Sequence, residues 1–494
     1  MNCNFALCIL NFEFMLKFYN TLIRQIEEFV PLEPGKVSMY SCGPTVYDYP
    51  QIGNWRTFVL SDVLRRTLEY NHYQVNLVMN ATDVGHLSGD NLGDADVGED
   101  RLEKGAKREG KTVWEIAQIY LTDFVQTREW LNILPPSQFV RATEHIEEQI
   151  ELVKKLVDKA LAYQTETGVF FDVSKFPDYG KLGGQKLIDK RTAAREEVAE
   201  DKTKKHPQDF ALWFKRVGKF ADHQMHWDSP WGEGFPGWHI ECSAMSMKYL
   251  GETFDIHTGG VDHIAIHHTN EIAQSEGATG KQFVKYWVHG EFLTVGGGRM
   301  GKSLGNAYTL HDIKEKGFDP LALRYFYFSA HYRQVLNFTW EALTGAQNAL
   351  ERLQKKIVDM RNSLASQGDA LEMASGQYEE EFLEALNDDL NMPKALAVVW
   401  KLVEDKKMPA KEALESLYRM DLVLGLDLKS TKYEVRSEKV PIEIEELLKQ
   451  REKLRGEKKF AEADKMREEI EKMGYTVLDT AQGQKVEKSK SVKQ

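Results

Sequence analysis

The sequence predicts a parallel α/β fold followed by an all-helical region, on three observations. A strand, a turn, a helix and a second strand follow one another between Val37 and Met79, the α/β texture breaks off and returns at Phe254, and beyond Asn337 the apolar residues fall three and four apart. The chain has 494 residues, so at roughly 150 residues per domain it holds about three domains and buries large cores without disulfides.

Val37 to Cys42 is an apolar run of strand length, Gly43 and Pro44 supply the turn, and an amphipathic helix runs from about Gly53 through Tyr70 before a second strand from Val75 to Met79. A unit of this kind places its ligand site at the carboxyl ends of its strands. Residues 131–226 read as an insertion with its own helix, Ile146 to Leu161, and a Lys/Glu-rich stretch from Arg191 to Lys205. The α/β pattern then returns through Phe254 to His257. Leu343, Ala346, Leu350, Leu353, Ile357, Met360 and Leu364 form the stripe of a long packed helix. Helical periodicity resumes from Glu380 to about Leu424, with Pro393 placed to start a helix. A charged linker, Asp427 to Val440, precedes two helical segments, Ile442 to Lys458 and Ala461 to Met473, which Gly474 and a short strand near Val477 close.

The net charge of −12 argues against a protein that coats nucleic acid by bulk positive charge, although residues 481–494 carry four Lys against one Glu, a local net of +3. Four cysteines in this length exclude a disulfide framework and suit a reducing cytoplasm. No stretch approaches the ~20 apolar residues of a membrane span. The apolar run Phe5 to Leu10 has no Lys or Arg before it, which fits a secretory signal poorly. Residues 1–14 are expected to be a disordered extension ahead of Met15, with no functional role for Cys3 or Cys8.

Several residues have the chemistry of a site. Cys42 ends a strand, Cys242 lies in GWHIECSAM, and His267 and Glu271 sit four apart in HHTNE, on one face of a helix. Two thiolates, an imidazole and a carboxylate bind zinc, while taken singly a buried thiol and a solvated His/Glu pair are the ordinary readings. His257, His263 and His268 crowd the same stretch and leave the ligand assignment open. Gln51-Ile52-Gly53-Asn54 opens the first helix, where free N–H groups and a glycine can receive a phosphate. Gly296-Gly297-Gly298-Arg299-Met300-Gly301-Lys302-Ser303 is a glycine-rich loop with two cations, suited to closing over a polyphosphate, but its spacing is not that of a Walker loop. Trp227, Trp231 and Trp238 fall in one turn-rich span, either a structural corner or the wall of a small-substrate pocket.

Taken together and in order, SCGPTVYDYPQIGNWRTF, WDSPWGEGFPGWHIECSAMS, HHTNEIAQSE and GGGRMGKSLGN closely resemble the cysteinyl-tRNA synthetases, class I aminoacyl-tRNA synthetases. The likeness covers about residues 16–484 and extends to DADVGEDRLEKGAKREGKTVWEIA, GVFFDVSKFPDYGKL and DPLALRYFYFSAHYRQVLNF. It implies a Rossmann-type catalytic domain with a connective insertion, an α-helical anticodon-binding bundle and a small C-terminal α+β domain. In this sequence those divide as 1–14 extension, 15–130 catalytic first half, 131–226 insertion, 227–310 catalytic second half, 311–340 stem-contact region, 341–430 bundle, 437–484 C-terminal domain and 485–494 basic tail.

The resemblance further implies one zinc ion on Cys42, Cys242, His267 and Glu271, and Thr82, Trp238, His239 and Asp262 around L-cysteine, with Asp262 attracting its ammonium group. ATP with Mg²⁺ is expected at Gly43, Gln51, Gly53, Asn54, Arg299, Met300, Lys302 and Ser303, of which Gln51, Asn54, Arg299 and Lys302 act catalytically. Arg455, Asp464 and Asp479 fall on positions that touch the anticodon of cysteine tRNA. A cytoplasmic monomer is expected. The family usually has His where this chain has Gln51, and Lys-Met-Ser-Lys-Ser where it has Arg299-Met300-Gly301-Lys302-Ser303. Two rivals follow from the same residues: a cysteine ligase acting on a small amino-sugar acceptor, which needs no body beyond about residue 340, and a non-catalytic tRNA-binding paralogue, which the two altered signatures suit.

Overall fold

The structure is a computed structural model that describes residues 15–85, 87, 98–184, 203–301, 304–364, 376–430, 442–457, 459–480 and 483–488. The extension read at 1–14 and the Lys/Glu-rich residues 191–202 lie outside them. They divide into two compact units, 1–429 and 430–494.

In the first unit a hairpin of β1 (Lys17–Asn20) and β2 (Gln25–Glu28) leads into β3 (Lys36–Ser41), whose inner residues Val37, Met39 and Tyr40 are covered on both faces. Gly43 makes the turn because β4 (Gln74–Ala81) runs so close that a Cβ there would lie 1.6 Å from the Asn80 carbonyl oxygen. The helix Ile52–Tyr70 then crosses over, burying Ile52, Trp55, Val59, Val63 and Leu68, and returns the chain to β4 alongside β3. With β5 (Gln138–Arg141), β10 (Phe254–Gly260) and β11 (Val284–Gly290) these strands form a five-stranded sheet of order β11-β10-β3-β4-β5, every pair parallel. The chain leaves β3 towards β4 but β10 lies on its other side, so the order switches direction between β3 and β10, where open α/β sheets have their ligand crevice.

β5 departs from the sequence reading, which put Gln138–Arg141 inside the insertion. Four residues with only Val140 fully buried carry no alternation to recognise. The helix expected over Ile146–Leu161 ends at Asp158, because Ala160 takes a positive φ of 57° and the chain turns into β6 (Ala162–Gln164). β6, β7 (Gly168–Phe171), β8 (Phe210–Lys215) and β9 (Gly234–Pro236) make an antiparallel sheet that continues past residue 226.

Beyond β11, the short strands β12 (Leu293–Val295) and β13 (Leu336–Phe338) pair in parallel, and the helix Pro320–Tyr327 lies between them in sequence. The predicted long stripe is the helix Trp340–Leu364, with Leu343, Ala346, Leu350, Leu353 and Ile357 buried. The periodicity over 380–424 resolves into three helices, Gln377–Asn387, Met392–Glu404 and Ala410–Leu424, the first break falling where Asp389 and Leu390 take φ of 59° and 53°. Their apolar faces share one core with Ile52, Trp55, Phe58 and Val63 of the crossover helix.

The second unit holds the helices Ile442–Gly456 and Phe460–Lys472 and a hairpin of β14 (Tyr475–Thr480) and β15 (Gly483–Lys488), around Ile444, Ile470 and Val477. Sequence reasoning gave one strand here and counted 485–494 as tail; β15 is polar except for Val486, which sits opposite Val477. No described helix is long and apolar enough to cross a membrane.

Candidate active site

Cys42 follows β3 directly, Cys242 lies in the helix Trp238–Leu250, and His267 and Glu271 stand on the helix His267–Thr279. The fold gathers one ligand atom from each of the four within 4.8 Å of one another, all buried. His267 Nε2 is 2.8 Å from Glu271 Oε1, and neither described cysteine is in a disulfide. Burial, together with Cys242 and Glu271, raises the Cys42 thiol well above its usual value. Burial also works against ionisation of Cys242, but hydrogen bonds with Cys42 and His267 bring its pKa down to about 6. Glu271 is buried too, yet His257 and His267 hold it down to about 2, while His267, against its own burial, is lifted to about 10 by Glu271 and Cys242. Two groups that favour the anionic form thus face one imidazole, which on giving up its extra proton completes a donor set with the charge and softness for a metal cation.

A second grouping, Cys42, His257, His268 and Glu271, meets the same distance condition. His257 Nε2 lies 2.9 Å from the other carboxylate oxygen of Glu271. His268 Nε2 approaches Cys42 Sγ at 3.4 Å, while its Nδ1 pairs with His289 Nε2 at 2.7 Å, and His289 Nδ1 pairs with Thr21 Oγ1 at 2.7 Å. His263 belongs to neither grouping. His289 and Thr21 escaped sequence reasoning, since nothing in their spacing links them to Cys42.

Trp238 stacks on the His267 ring at a centroid distance of 4.1 Å, and His239 Nδ1 lies 2.9 Å from His267 Nδ1. Thr82 follows β4 and is buried; its N–H donates to Pro44 O at 3.0 Å and its hydroxyl accepts from Asn80 Nδ2 at 3.2 Å. Asp262 follows β10 and is exposed, its carboxylate lying over Gly260, where a Cβ would meet Asp262 Oδ1 at 2.3 Å. Thr82, Cys42 and Asp262 therefore stand at the carboxyl ends of three adjacent strands, β4, β3 and β10.

The two segments expected to receive phosphate also meet. Gln51 caps the crossover helix, and its N–H donates to Asn54 Oδ1 at 2.9 Å, so the amide nitrogen of Asn54 is the end that remains to donate to a ligand. A Cβ on Gly53 would lie 3.6 Å from Met300 Cε, and Ile52 N–H donates to Tyr308 O at 2.9 Å. Gly296 and Gly297, at φ of 58° and 80°, shape the exposed turn that carries Arg299. Asn306 braces it, accepting from Gly301 N–H at 2.8 Å and donating to Arg299 O at 3.1 Å. Gly43 N–H donates to Asn80 Oδ1 at 2.9 Å. Lys302 and Ser303 lie outside the described residues.

Sequence reasoning missed Arg56. Its guanidinium donates to the carbonyls of Glu291, Phe292, His331 and Gln334 at 2.7–3.2 Å, tying the crossover helix to the segments around β12 and β13. A basic residue among the apolar positions of a helix was the available signal. Arg455 and Asp464 are exposed on the two helices of the second unit, and Asp479 lies in β14.

Three sequence families match the chain. The tRNA synthetases class I (C) catalytic domain matches residues 28–348, the DALR domain 381–429 and the cysteinyl-tRNA ligase anticodon binding domain 437–486. A cysteine–tRNA ligase of Treponema denticola is 43% identical over 489 residues, covering 94% of this chain and 98% of its own, and cysteine–tRNA ligase 1 of Burkholderia lata is 45% identical over 474 residues, covering 95% and 96%. Among solved structures, methionyl-tRNA synthetase of Mycobacterium tuberculosis in complex with methionyl-adenylate superposes with a TM-score of 0.53 at 15% identity, over 79% of this chain and 90% of that one. LeuRS of Agrobacterium radiobacter in its ternary complex with tRNA and LeuAMS gives a TM-score of 0.57 at 11% identity, over 81% and 84%. Those two share the fold, a class I synthetase fold of mixed α/β type with a helical domain behind it. With a catalytic-domain match over more than half its length and relatives above 40% identity over nearly all of it, the chain belongs to the cysteine–tRNA ligase family.

Proposed function

We propose that this member of the cysteine–tRNA ligase family charges cysteine tRNA in two steps. The carboxylate of L-cysteine attacks the α-phosphate of ATP and pyrophosphate leaves; the terminal ribose hydroxyl of the tRNA then attacks the cysteinyl-adenylate carbonyl and AMP leaves. The first nucleophile is already an anion, so no general base is needed there. The work falls to positioning and charge stabilisation by Gln51, Asn54, Arg299 and Lys302. Gly43 and Gly53 let phosphates approach the backbone, Met300 seats the loop against Gly53, and Ser303 supplies a further donor. Mg²⁺ accompanies the ATP.

Cys42, Cys242, His267 and Glu271 would hold one zinc ion, and His257 on the second oxygen of Glu271 would orient that carboxylate. When bound, zinc supplies a borderline-soft Lewis acid that favours a thiolate over a hydroxyl and lowers the thiol pKa. Thr82, Trp238, His239 and Asp262 surround the amino acid, the Asp262 carboxylate drawing its ammonium group. Arg455, Asp464 and Asp479 read anticodon bases. The domain division is that given from the sequence, with β5 moved to the catalytic sheet, β9 to the insertion and β15 to the C-terminal domain, and the chain acts as a cytoplasmic monomer.

The observation that carries this reading is the convergence of two thiols, an imidazole and a carboxylate within 4.8 Å, with the Trp238 ring stacked on the imidazole. Shape separates cysteine from serine poorly, so discrimination has to come from affinity for sulfur. Pyrophosphate exchange into ATP tests it: cysteine should support exchange about 100-fold or more better than serine. Equal rates for the two amino acids would defeat the assignment.

A further inference from the structure

The helix Pro320–Tyr327 carries an arginine with no exposure at all, Arg324 at 0%. Its Nε donates to Leu424 O at 2.6 Å, Nη1 to Leu131 O at 3.0 Å and Nη2 to Asp62 Oδ2 at 2.6 Å. Asp62, itself buried, also accepts from Arg66 Nε at 2.8 Å and from Leu134 N–H at 2.9 Å. Arg66 continues to Leu422 O at 2.8 Å and Asn132 O at 2.7 Å, and Asn132 Nδ2 donates to Gly425 O at 3.0 Å. Asp421 adds a second negative charge beside the two guanidinium groups.

Leu422, Leu424 and Gly425 stand at the C-terminus of the bundle helix Ala410–Leu424, where the last carbonyls have no partner within the helix and the dipole favours cations. Gly425, at φ 61°, admits the guanidinium, since a Cβ there would lie 2.7 Å from Arg324 Nη2. Asp62 and Arg66 belong to the crossover helix that begins at the phosphate motif. Tyr327, on the same short helix as Arg324, donates its hydroxyl to Ile52 O at 2.6 Å, the first turn of that crossover helix. One short helix thus grips both the start of the nucleotide-site helix and the end of the bundle helix, after which the chain runs on into 430–494.

The surrounding core is apolar and continuous between the crossover helix and the bundle, and apolar burial is non-directional, so it specifies register less sharply than hydrogen bonds do. Buried charges add little net stability compared with an apolar filling; what they add is register. We propose that Asp62, Arg66 and Arg324 are positioning residues that fix the bundle in register on the crossover helix, so that a tRNA held by the bundle presents its acceptor end to the adenylate. The proposal rests on the charging reaction above.

The test uses the full chain carrying Arg324→Lys, which keeps the charge and loses the three-way fork, and Arg324→Met, each assayed for pyrophosphate exchange and for tRNA charging. Exchange should stay within about twofold, with KM for ATP and cysteine unchanged, while kcat/KM for tRNA falls about 10- to 100-fold, less in Arg324→Lys than in Arg324→Met. A merely structural role would lower both activities in parallel with the melting temperature, and that result overturns the proposal. If Arg324→Met does not fold, Asn132→Gly, which removes the side-chain bond to Gly425 O and tolerates the φ of 51° at that position, takes its place. Undiminished charging in both Arg324→Lys and Asn132→Gly also overturns the proposal. An unmodified chain without exchange activity refutes the charging reaction itself, an outcome distinct from either.

Discussion

Cys242 and Glu271 sit in the core at 1% and 0% exposure, whereas the turn that carries Arg299 faces solvent. The difference follows from where each region's counter-charge comes from. In the cluster, thiol, imidazole and carboxylate neutralise one another in part, so they survive burial and stay set in place before any substrate arrives. In the proposed reaction the partner of Arg299 is a polyphosphate that comes and goes, and a cation buried without its partner costs several kcal/mol. The proposed selection of the sulfur thus rests on groups fixed in the core, and the proposed stabilisation of phosphate charge on a glycine turn braced by Asn306.

The largest expected effect breaks the buried side. Cys242→Ala should reduce metal from about one ion per chain to nearly none, and cysteine-dependent exchange by more than about three orders of magnitude, measured by elemental analysis beside the exchange assay. Full metal content in that variant would hand the site to Cys42, His257, His268 and Glu271. In the proposed phosphate loop, Lys302→Ala should slow adenylate formation by about 3 kcal/mol with metal content unchanged and cysteine binding little altered. Wild-type exchange kinetics in this variant would end the catalytic assignment of the loop.

A smaller effect sharpens the contrast. His257→Ala removes the bond to Glu271 Oε2 and should weaken metal affinity about 10- to 100-fold in a chelator competition, leaving KM for ATP unchanged. An unchanged affinity would show that Glu271 needs no second support. The smallest concerns Gln51, which donates without titrating. Exchange in the unmodified chain should show no inflection from this position, while Gln51→His should gain one near pH ~6.5, with the rate rising relative to the unmodified chain as the pH falls and the imidazole takes its charge. A flat difference between the two across that range would place Gln51 away from the phosphates.

Where the signal is local, sequence and structure agree closely. The strand expected over Val37–Cys42 is Lys36–Ser41, and the helix expected from Gly53 through Tyr70 is Ile52–Tyr70, because turn glycine, apolar period and strand length all act within one stretch of chain. His267 and Glu271 share a helix face, as their four-residue spacing requires. The misses have the opposite character. β5 and β15 are too short or too polar to show alternation and exist because a neighbouring strand offers hydrogen bonds. Arg56 and Arg324 answer carbonyl groups far away in sequence, which no period encodes.

By itself, then, the sequence determined the α/β unit, the helical region behind it, the order of the phosphate and thiol motifs, and the family they resemble, since each depends on residues close in the chain. Which histidines crowd against Cys42, which oxygen of Glu271 each one meets, and how the bundle locks onto the crossover helix were decided only by the tertiary structure. The reason is physical. A hydrogen bond or a metal ligand set is specified within a few tenths of an ångström, and separate segments reach that precision only when a packed core brings their backbones together.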